Sequence, residues 1–300
     1  MRDAFVKALS ELAAEDPSIV LVTGDLGFNV LDDYRARFPD QFVNAGVAEQ
    51  NMTALACGMA LEGARAYTYS IASFPTLRCL EQLRNDVCYH GASVTVVAVG
   101  GGFSYGPLGM SHFATEDLAV MRAMPGMTVV APSDPWQSYE LTRQLHDRGE
   151  PAYLRIDKGQ AGVAEGPLEL GKIRLVREGE DAIIFAIGAI LGEAVAAADE
   201  LGSIAVADVH TLKPLDVPGI CAAAQGKPII VTLEEHSVVG GLGSAIAETL
   251  LEGGVHPRRF VRMGLLDRFP ETVGDQPYLR ERHGLDRHSV ATTIAEMLAS

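Results

Sequence analysis

Short apolar runs rich in β-branched residues recur along the whole chain, each followed by a loop and then by apolar residues spaced three and four apart. In the first half the runs are SIVLVTGD, RAYTYSI, ASVTVVAVGGG, MTVVAPSD and AYLRID; in the second they are DAIIFAIGA, SIAVADVH, PIIVTLEEH and RRFVRMGL. Helical patterns separate the later runs, one ending at Leu201, one following Pro218 and one spelled by GSAIAETLLE. Runs without polar alternation belong in sheets covered on both faces, so the pattern predicts α/β architecture with largely parallel sheets. The chain has 300 residues, about the size at which single cores stop growing, and DKGQAGVAEGPLELGK at 157–172 is Gly-rich and follows neither period. Two α/β domains are therefore predicted, 1–164 and 165–300, with ligands at the carboxyl ends of the strands.

Finer signals fill in this frame. In TLRCLEQLRNDVCYHG, the residues Leu77, Leu80, Leu83 and Val87 make one inward helical stripe, leaving Arg78, Glu81, Arg84 and Asp86 mostly outside. Thr115 is placed to cap a helix over EDLAVMRAM, and Pro132 with Pro135 punctuates the start of the next. The formal charge of -15 weighs against a non-specific nucleic-acid or anionic-membrane partner, so any phosphate must be met by locally placed cations. Cys57, Cys79, Cys88 and Cys221 fall inside predicted elements without paired spacing and read as reduced residues of a cytoplasmic protein. MRDAFVKALSELAAEDP reads as an amphipathic helix carrying acids rather than a targeting peptide, and no apolar run is long enough to span a bilayer.

Glu49, in NAGVAEQNM, sits among small and apolar residues at the start of a helical run. It reads either as a helix-start carboxylate, stabilised by the macrodipole by roughly 0.3 to 1 kcal/mol, or as a buried functional acid. For the second, Ala45, Gly46, Ala48 and Ala54 leave room for close backbone approach. GGLGS, at 240–244, could cradle a phosphate on helix amides or mark tight strand-to-helix packing.

NAGVAEQNM, YTYSIASFPTLRCLEQLRNDV, GMSHFATEDLAVMRAMPGMTVVAPSD and PAYLRIDKG, in this order, resemble the pyrimidine-binding domain of transketolase and its relatives. TLEEHSVVGGLGSAIAETL resembles the transketolase carboxyl-terminal domain. The resemblance implies a thiamine-diphosphate enzyme that transfers ketol units between sugar phosphates or related sugars. In it Glu49 would hydrogen-bond N1′ of the aminopyrimidine, favouring the imino tautomer that deprotonates thiazolium C2. Phe74 would stack on the pyrimidine, with Asp25, Leu26 and Ile71 nearby. Ile71 and Leu77 stand where full-length transketolases carry aromatic rings, which implies a more aliphatic pocket. His112 is implied at the substrate hydroxyls as a second catalytic candidate, and Arg155, Arg2 and Asn29 at a sugar phosphate. Gly100, Leu108 and Asn29 replace a histidine, an aspartate and a phosphate-binding serine of the family, which implies a substrate other than the usual pentose and hexose phosphates.

The family's metal motif, Gly-Asp-Gly followed by a downstream Asn, is not found in this chain, so no metal-ligating residue is assigned. The resemblance then implies a carboxyl-terminal subunit of a split transketolase, completed by a separate amino-terminal subunit that binds the diphosphate through Mg²⁺ in a heterotetramer. The helix over 77–89 would be partly interface there, accounting for Cys88 and Tyr89. Two alternatives stay open: the beta subunit of a 2-oxo-acid dehydrogenase's decarboxylating component, and a non-catalytic regulatory paralogue.

Overall fold

A computed structural model describes the whole chain, Met1–Ser300. The first half lays down α1 (Arg2–Glu15), β1 (Ile19–Thr23), α2 (Asp32–Arg37), β2 (Phe42–Asn44), α3 (Glu49–Leu61), β3 (Arg65–Ile71), α4 (Leu80–Gln82), β4 (Val94–Val99), α5 (Asp117–Ala123), β5 (Thr128–Val130), α6 (Pro135–Arg148) and β6 (Ala152–Ile156). The second adds β7 (Arg174–Arg177), β8 (Ala182–Ile187), α7 (Leu191–Leu201), β9 (Ile204–Asp208), β10 (Thr211–Lys213), α8 (Val217–Ala224), β11 (Ile229–Ser237), α9 (Leu242–Glu252), β12 (Arg259–Leu265), α10 (Gln276–Arg282) and α11 (Arg287–Ala299).

These strands form two sheets, one of seven in the order β10-β5-β6-β4-β3-β1-β2 and one of five in the order β12-β11-β8-β9-β7. Pairing is parallel throughout except at β10–β5 and β7–β9. Every residue of β4 and of β8 is buried, as expected for central strands covered on both faces. The short strands β2, β7 and β10 carry too few residues to show a period, and sequence reading did not find them. Strand β10 follows the predicted boundary yet pairs with β5 of the first sheet, Thr211 opposite Val130. The two halves also share one apolar layer, in which Val22, Met52 and Val96 belong to the same cluster as Ile183, Phe185, Ile230 and Ile246. No helix is long and apolar enough to cross a membrane.

Three local expectations change. Helix α5 begins at Asp117 rather than under a Thr115 cap, and the buried Thr115 hydroxyl has no hydrogen-bond partner. The stripe over 77–89 starts later than its spacing suggests: Leu77 lies outside the helix and is 46% exposed, whereas Leu83 and Val87 are buried. Beyond α4 the helix widens into a π-helical turn over Leu83–Cys88, a feature common near functional sites. At GGLGS the helix amides of Leu242 and Gly243 donate to the buried Glu234 carboxylate at 2.7 and 2.8 Å, so the chain's own acid takes the anion position. A Cβ at Gly241 would lie 2.1 Å from Glu234 Oε2, which explains the glycine by packing.

Candidate active site

The loops leaving the carboxyl ends of β6, β4, β3, β1 and β2 lie along one edge of the first sheet, and they carry most of the polar groups singled out in the sequence. Neighbouring strands stand about 4.8 Å apart, so strand order converts directly into a row of side chains. From β6 towards β2 the row runs Lys158, Tyr105, His112, Phe74, Arg78 and Glu49. Lys158 Nζ stands 3.5 Å from the Tyr105 ring centroid, and the Tyr105 and His112 rings are 6.2 Å apart. His112 meets Phe74 edge-on at 5.3 Å, the Arg78 guanidinium lies 4.8 Å from the Phe74 centroid, and Arg78 Nη1 donates to Glu49 Oε2 at 2.6 Å.

Glu49 is the first residue of α3, after Ala48, which supplies no capping side chain. Its own carboxylate is therefore the anion in the first turn, where the helix dipole favours it. The residue is 4% exposed. Gly24 lies beside it, where a Cβ would stand at ordinary contact distance, 3.6 Å from Glu49 Cγ and 3.7 Å from Met52 Sδ. Asn44 fixes the neighbouring loops, accepting from the Asp25 and Gly46 amides at 3.1 and 3.0 Å and donating to Asp25 Oδ1 at 2.9 Å. Asp25 adopts a left-handed conformation at φ 58°, as the turn residue at the end of β1. Leu26 accepts from Thr23 Oγ1 through its carbonyl, and Ile71 ends β3 just before Phe74.

The β4 loop brings in His112 and Tyr105. His112 Nδ1 is 2.9 Å from Ser111 Oγ, and the Ser111 carbonyl accepts from Ser73, which ties this loop to the β3 loop. Gly100 has φ 93°, and a Cβ on it would fall 2.2 Å from Tyr105 Cε2. The space that a histidine would need at 100 is thus filled by the Tyr105 ring. Leu108 is exposed on the same loop. At the far end Met1, Arg2, Asp3, Val99, Asp157 and Lys158 line a cavity of about 260 Å³. Partial desolvation, helped by the nearby Arg2 charge, lowers the Lys158 pKa against the pull of Asp157.

Two of the residues predicted at a sugar phosphate are not brought into this row. Arg155 is buried beneath Gly101; it pairs through Nε with Asp117 at 3.0 Å and donates through Nη2 to the carbonyls of Ala114 and Glu235. Tyr153 donates to the same Asp117 oxygen, so the Arg155 charge is met from inside the protein, while Asp117 Oδ1 has no hydrogen-bond partner. Asn29 is exposed between β1 and α2, with its amide donating to Asp32. Sequence reading missed Arg78, Tyr105 and Lys158. Arg78 looked like an outward helical residue, and only the late start of α4 turns it onto Phe74. No signal marked Tyr105 or Lys158, and only the fold brings Lys158 beside Arg2.

The second half contributes by holding the β4 loop. Glu235, buried in β11, accepts from the Phe103 amide and is paired with Arg280 and Gln276 of α10. Burial raises its pKa, with Arg280 opposing. Gly102, at φ 56°, lets the loop pass close: a Cβ there would lie 2.4 Å from Glu235 Oε1. No group of three or more His, Cys, Asp or Glu side chains converges as a metal site.

Comparison with known proteins agrees with this architecture. Residues 1–163 match the transketolase pyrimidine binding domain and residues 171–290 the transketolase C-terminal domain. The chain is 34% identical to a putative transketolase C-terminal section of Methanocaldococcus jannaschii, over 99% of this chain and 95% of that one. It is 36% identical to an apulose-4-phosphate transketolase subunit of Phocaeicola vulgatus, over 99% and 97%. With the 6-deoxy-6-sulfo-D-fructose transketolase subunit SqwH of a Clostridium species it shares 35% identity, over 99% and 94%. Among solved structures, a split gene transketolase described as an inactive beta4 tetramer superposes with a TM-score of 0.88 at 34% identity, over 99% and 97%. Two matched domains in the right order, relatives aligned nearly end to end and a common fold together place this chain in the transketolase family.

Proposed function

We propose that the chain is one subunit of a two-chain transketolase, transferring ketol units between sugar phosphates or related sugars, and that it works only with a separate subunit holding the diphosphate of thiamine diphosphate through Mg²⁺. The observation that carries this reading is the buried Glu49 carboxylate, joined through Arg78 to the Phe74 ring. Phe28, Val47, Leu77 and Leu108 are exposed on the neighbouring loops, apolar surface of the kind a partner covers. Tyr89, 84% exposed beside Cys88, extends that surface along the π-helical turn. Relatives of nearly the same length are named transketolase subunits, so the reading as a dehydrogenase beta subunit is set aside. The limits 1–164 and 165–300 are retained for the two domains, with β10 as a strand lent by the second to the first sheet.

The residues present suit an aminopyrimidine: a buried carboxylate able to share a proton with a weak ring base, and an aromatic ring bridged to it by Arg78. When bound, thiamine diphosphate supplies the electron sink for breaking the carbon–carbon bond beside a ketose carbonyl. Glu49 would hold the proton at ring N1′. Phe74 would stack on the ring, a gain of roughly 0.5 to 1.5 kcal/mol beyond burial, with Asp25, Leu26 and Ile71 closing the sides. His112, its Nδ1 engaged by Ser111, would offer Nε2 to a substrate hydroxyl. Arg2 and Lys158, at the far end of the row, would face an anionic terminus, with Arg155 acting as the internal tie that sets the β4 loop. The Tyr105 ring at the histidine position and Leu108 at the aspartate position support a substrate other than the usual pentose and hexose phosphates.

Calorimetry tests the shared site. Thiamine diphosphate with Mg²⁺ should bind a mixture of this chain and its diphosphate-binding partner but not this chain alone. Tight binding to the single chain refutes the split-enzyme reading.

A further inference from the structure

Arg78 touches both groups that the proposed function assigns to the aminopyrimidine. Its Nη1 donates to Glu49 Oε2 at 2.6 Å while its guanidinium carbon lies 4.8 Å from the Phe74 ring centroid. One planar, nitrogen-rich group thus donates to the carboxylate and covers the aromatic ring, which are the two contacts expected of a planar ring base there. Glu49 is almost wholly buried, whereas the Arg78 side chain is 49% exposed, so the acid is fixed and the cation can leave into solvent. The pairing also opposes the acid's proposed task, because a carboxylate oxygen that would meet the ring is already engaged by Arg78 Nη1 at 2.6 Å.

Local structure supplies a path for departure. Arg78 precedes α4, in a stretch of turns, and is anchored through its carbonyl, which accepts from Gln50 Nε2 at 3.2 Å. The side chain can therefore swing without moving the backbone that carries Phe74. We propose that Arg78 is a latch that occupies the pyrimidine site of the isolated subunit, mimicking the ring on Glu49 and Phe74, and that a pyrimidine must displace it before Glu49 can act. The proposal rests on the reading of Glu49 given above. It makes apparent affinity equal to intrinsic affinity multiplied by the fraction of chains with the latch open.

The test uses the full chain and the uncharged 4-amino-5-hydroxymethyl-2-methylpyrimidine at mildly alkaline pH, with binding read by calorimetry and folding by circular dichroism. Arg78→Gln should bind it about tenfold more tightly than wild type, the equivalent of about 1.4 kcal/mol. A second readout needs no variant. The ligand is neutral, so salt acts on its affinity chiefly through the ion pair; between about 0.05 and 0.5 M salt the Debye length falls roughly threefold, and wild-type affinity should rise, by less than for a solvent-exposed pair because Glu49 is buried. Equal affinities for both chains without a salt response, or no binding to folded Arg78→Gln, overturn the latch. Should Arg78→Gln not fold, the wild-type salt titration decides alone. Adding Glu49→Gln to Arg78→Gln separates the two ideas. Because a glutamine amide could still donate to the ring nitrogen, Glu49→Ala in the Arg78→Gln chain is compared as well: weakened binding there supports both, whereas unchanged tight binding means that the pyrimidine does not meet Glu49, and the functional reading falls with the latch.

Discussion

Replacing Gly100 by alanine tests whether the substrate end of the site is built as described. Two costs add. At φ 93° an L-residue is strained by roughly 1 to 2 kcal/mol. The new Cβ also falls 2.2 and 2.3 Å from two Tyr105 ring atoms, so the ring must retreat by about 1 Å, an overpacking cost of about 1 to 3 kcal/mol. Gly100→Ala should therefore destabilise by about 2 to 5 kcal/mol. With a urea slope of roughly 3 kcal/mol per molar, the unfolding midpoint should drop by about 1 M. Truncating Tyr105 removes the overlap but not the backbone strain. In the double variant Gly100→Ala with Tyr105→Ala, about 1 to 3 kcal/mol should therefore return as favourable coupling. Urea unfolding of the four chains measures this. A Gly100→Ala cost below about 0.5 kcal/mol, or additive single and double variants, would refute both the occupancy of this space by Tyr105 and the account of why no histidine stands at 100.

Further predictions address the acid, the buried pair and pH. Glu49→Gln should leave assembly with the partner intact and nearly abolish C2 proton exchange of the bound cofactor; exchange at the wild-type rate in a hydrogen–deuterium experiment contradicts the assigned role. Asp117→Ala leaves the buried Arg155 without its counter-charge and should cost about 3 to 5 kcal/mol, whereas a loss below about 1 kcal/mol in denaturant unfolding would mean that Arg155 is free to serve elsewhere. Asp208 and His210 titrate against each other. Burial raises Asp208 to about 6, so its contribution is present at low pH and is lost as pH climbs towards 6. Burial also lowers His210 to about 4, so its contribution grows as pH climbs from 4 to 6.5. The two slopes oppose in wild type, and Asp208→Asn should unmask a rise in stability between pH 4 and 6.5; an unchanged profile in thermal unfolding argues against this assignment.

The strand runs made the parallel sheets legible, because a strand buried on both faces has to be continuously apolar. Glu49, Phe74 and His112 were legible as residues worth attention, through their local company and through the family pattern. The sequence could not say which end of a partly periodic stripe would leave the helix, and so Arg78 looked like solvent-facing surface. That decision depends on where α4 starts, which packing of Leu83 and Val87 against α3 and the sheet determines. Nor could spacing alone distinguish an arginine that meets a ligand from one that meets Asp117, since the two partners lie 38 residues apart and converge only through strand order. Local pattern determined the longer strands and helices, because hydrophobic period and residue type act over a few positions. Which groups face one another, including the latch on Glu49, the ring against Gly100 and the strand lent to the first sheet, was decided only by tertiary packing, because those contacts join residues that backbone geometry alone does not relate.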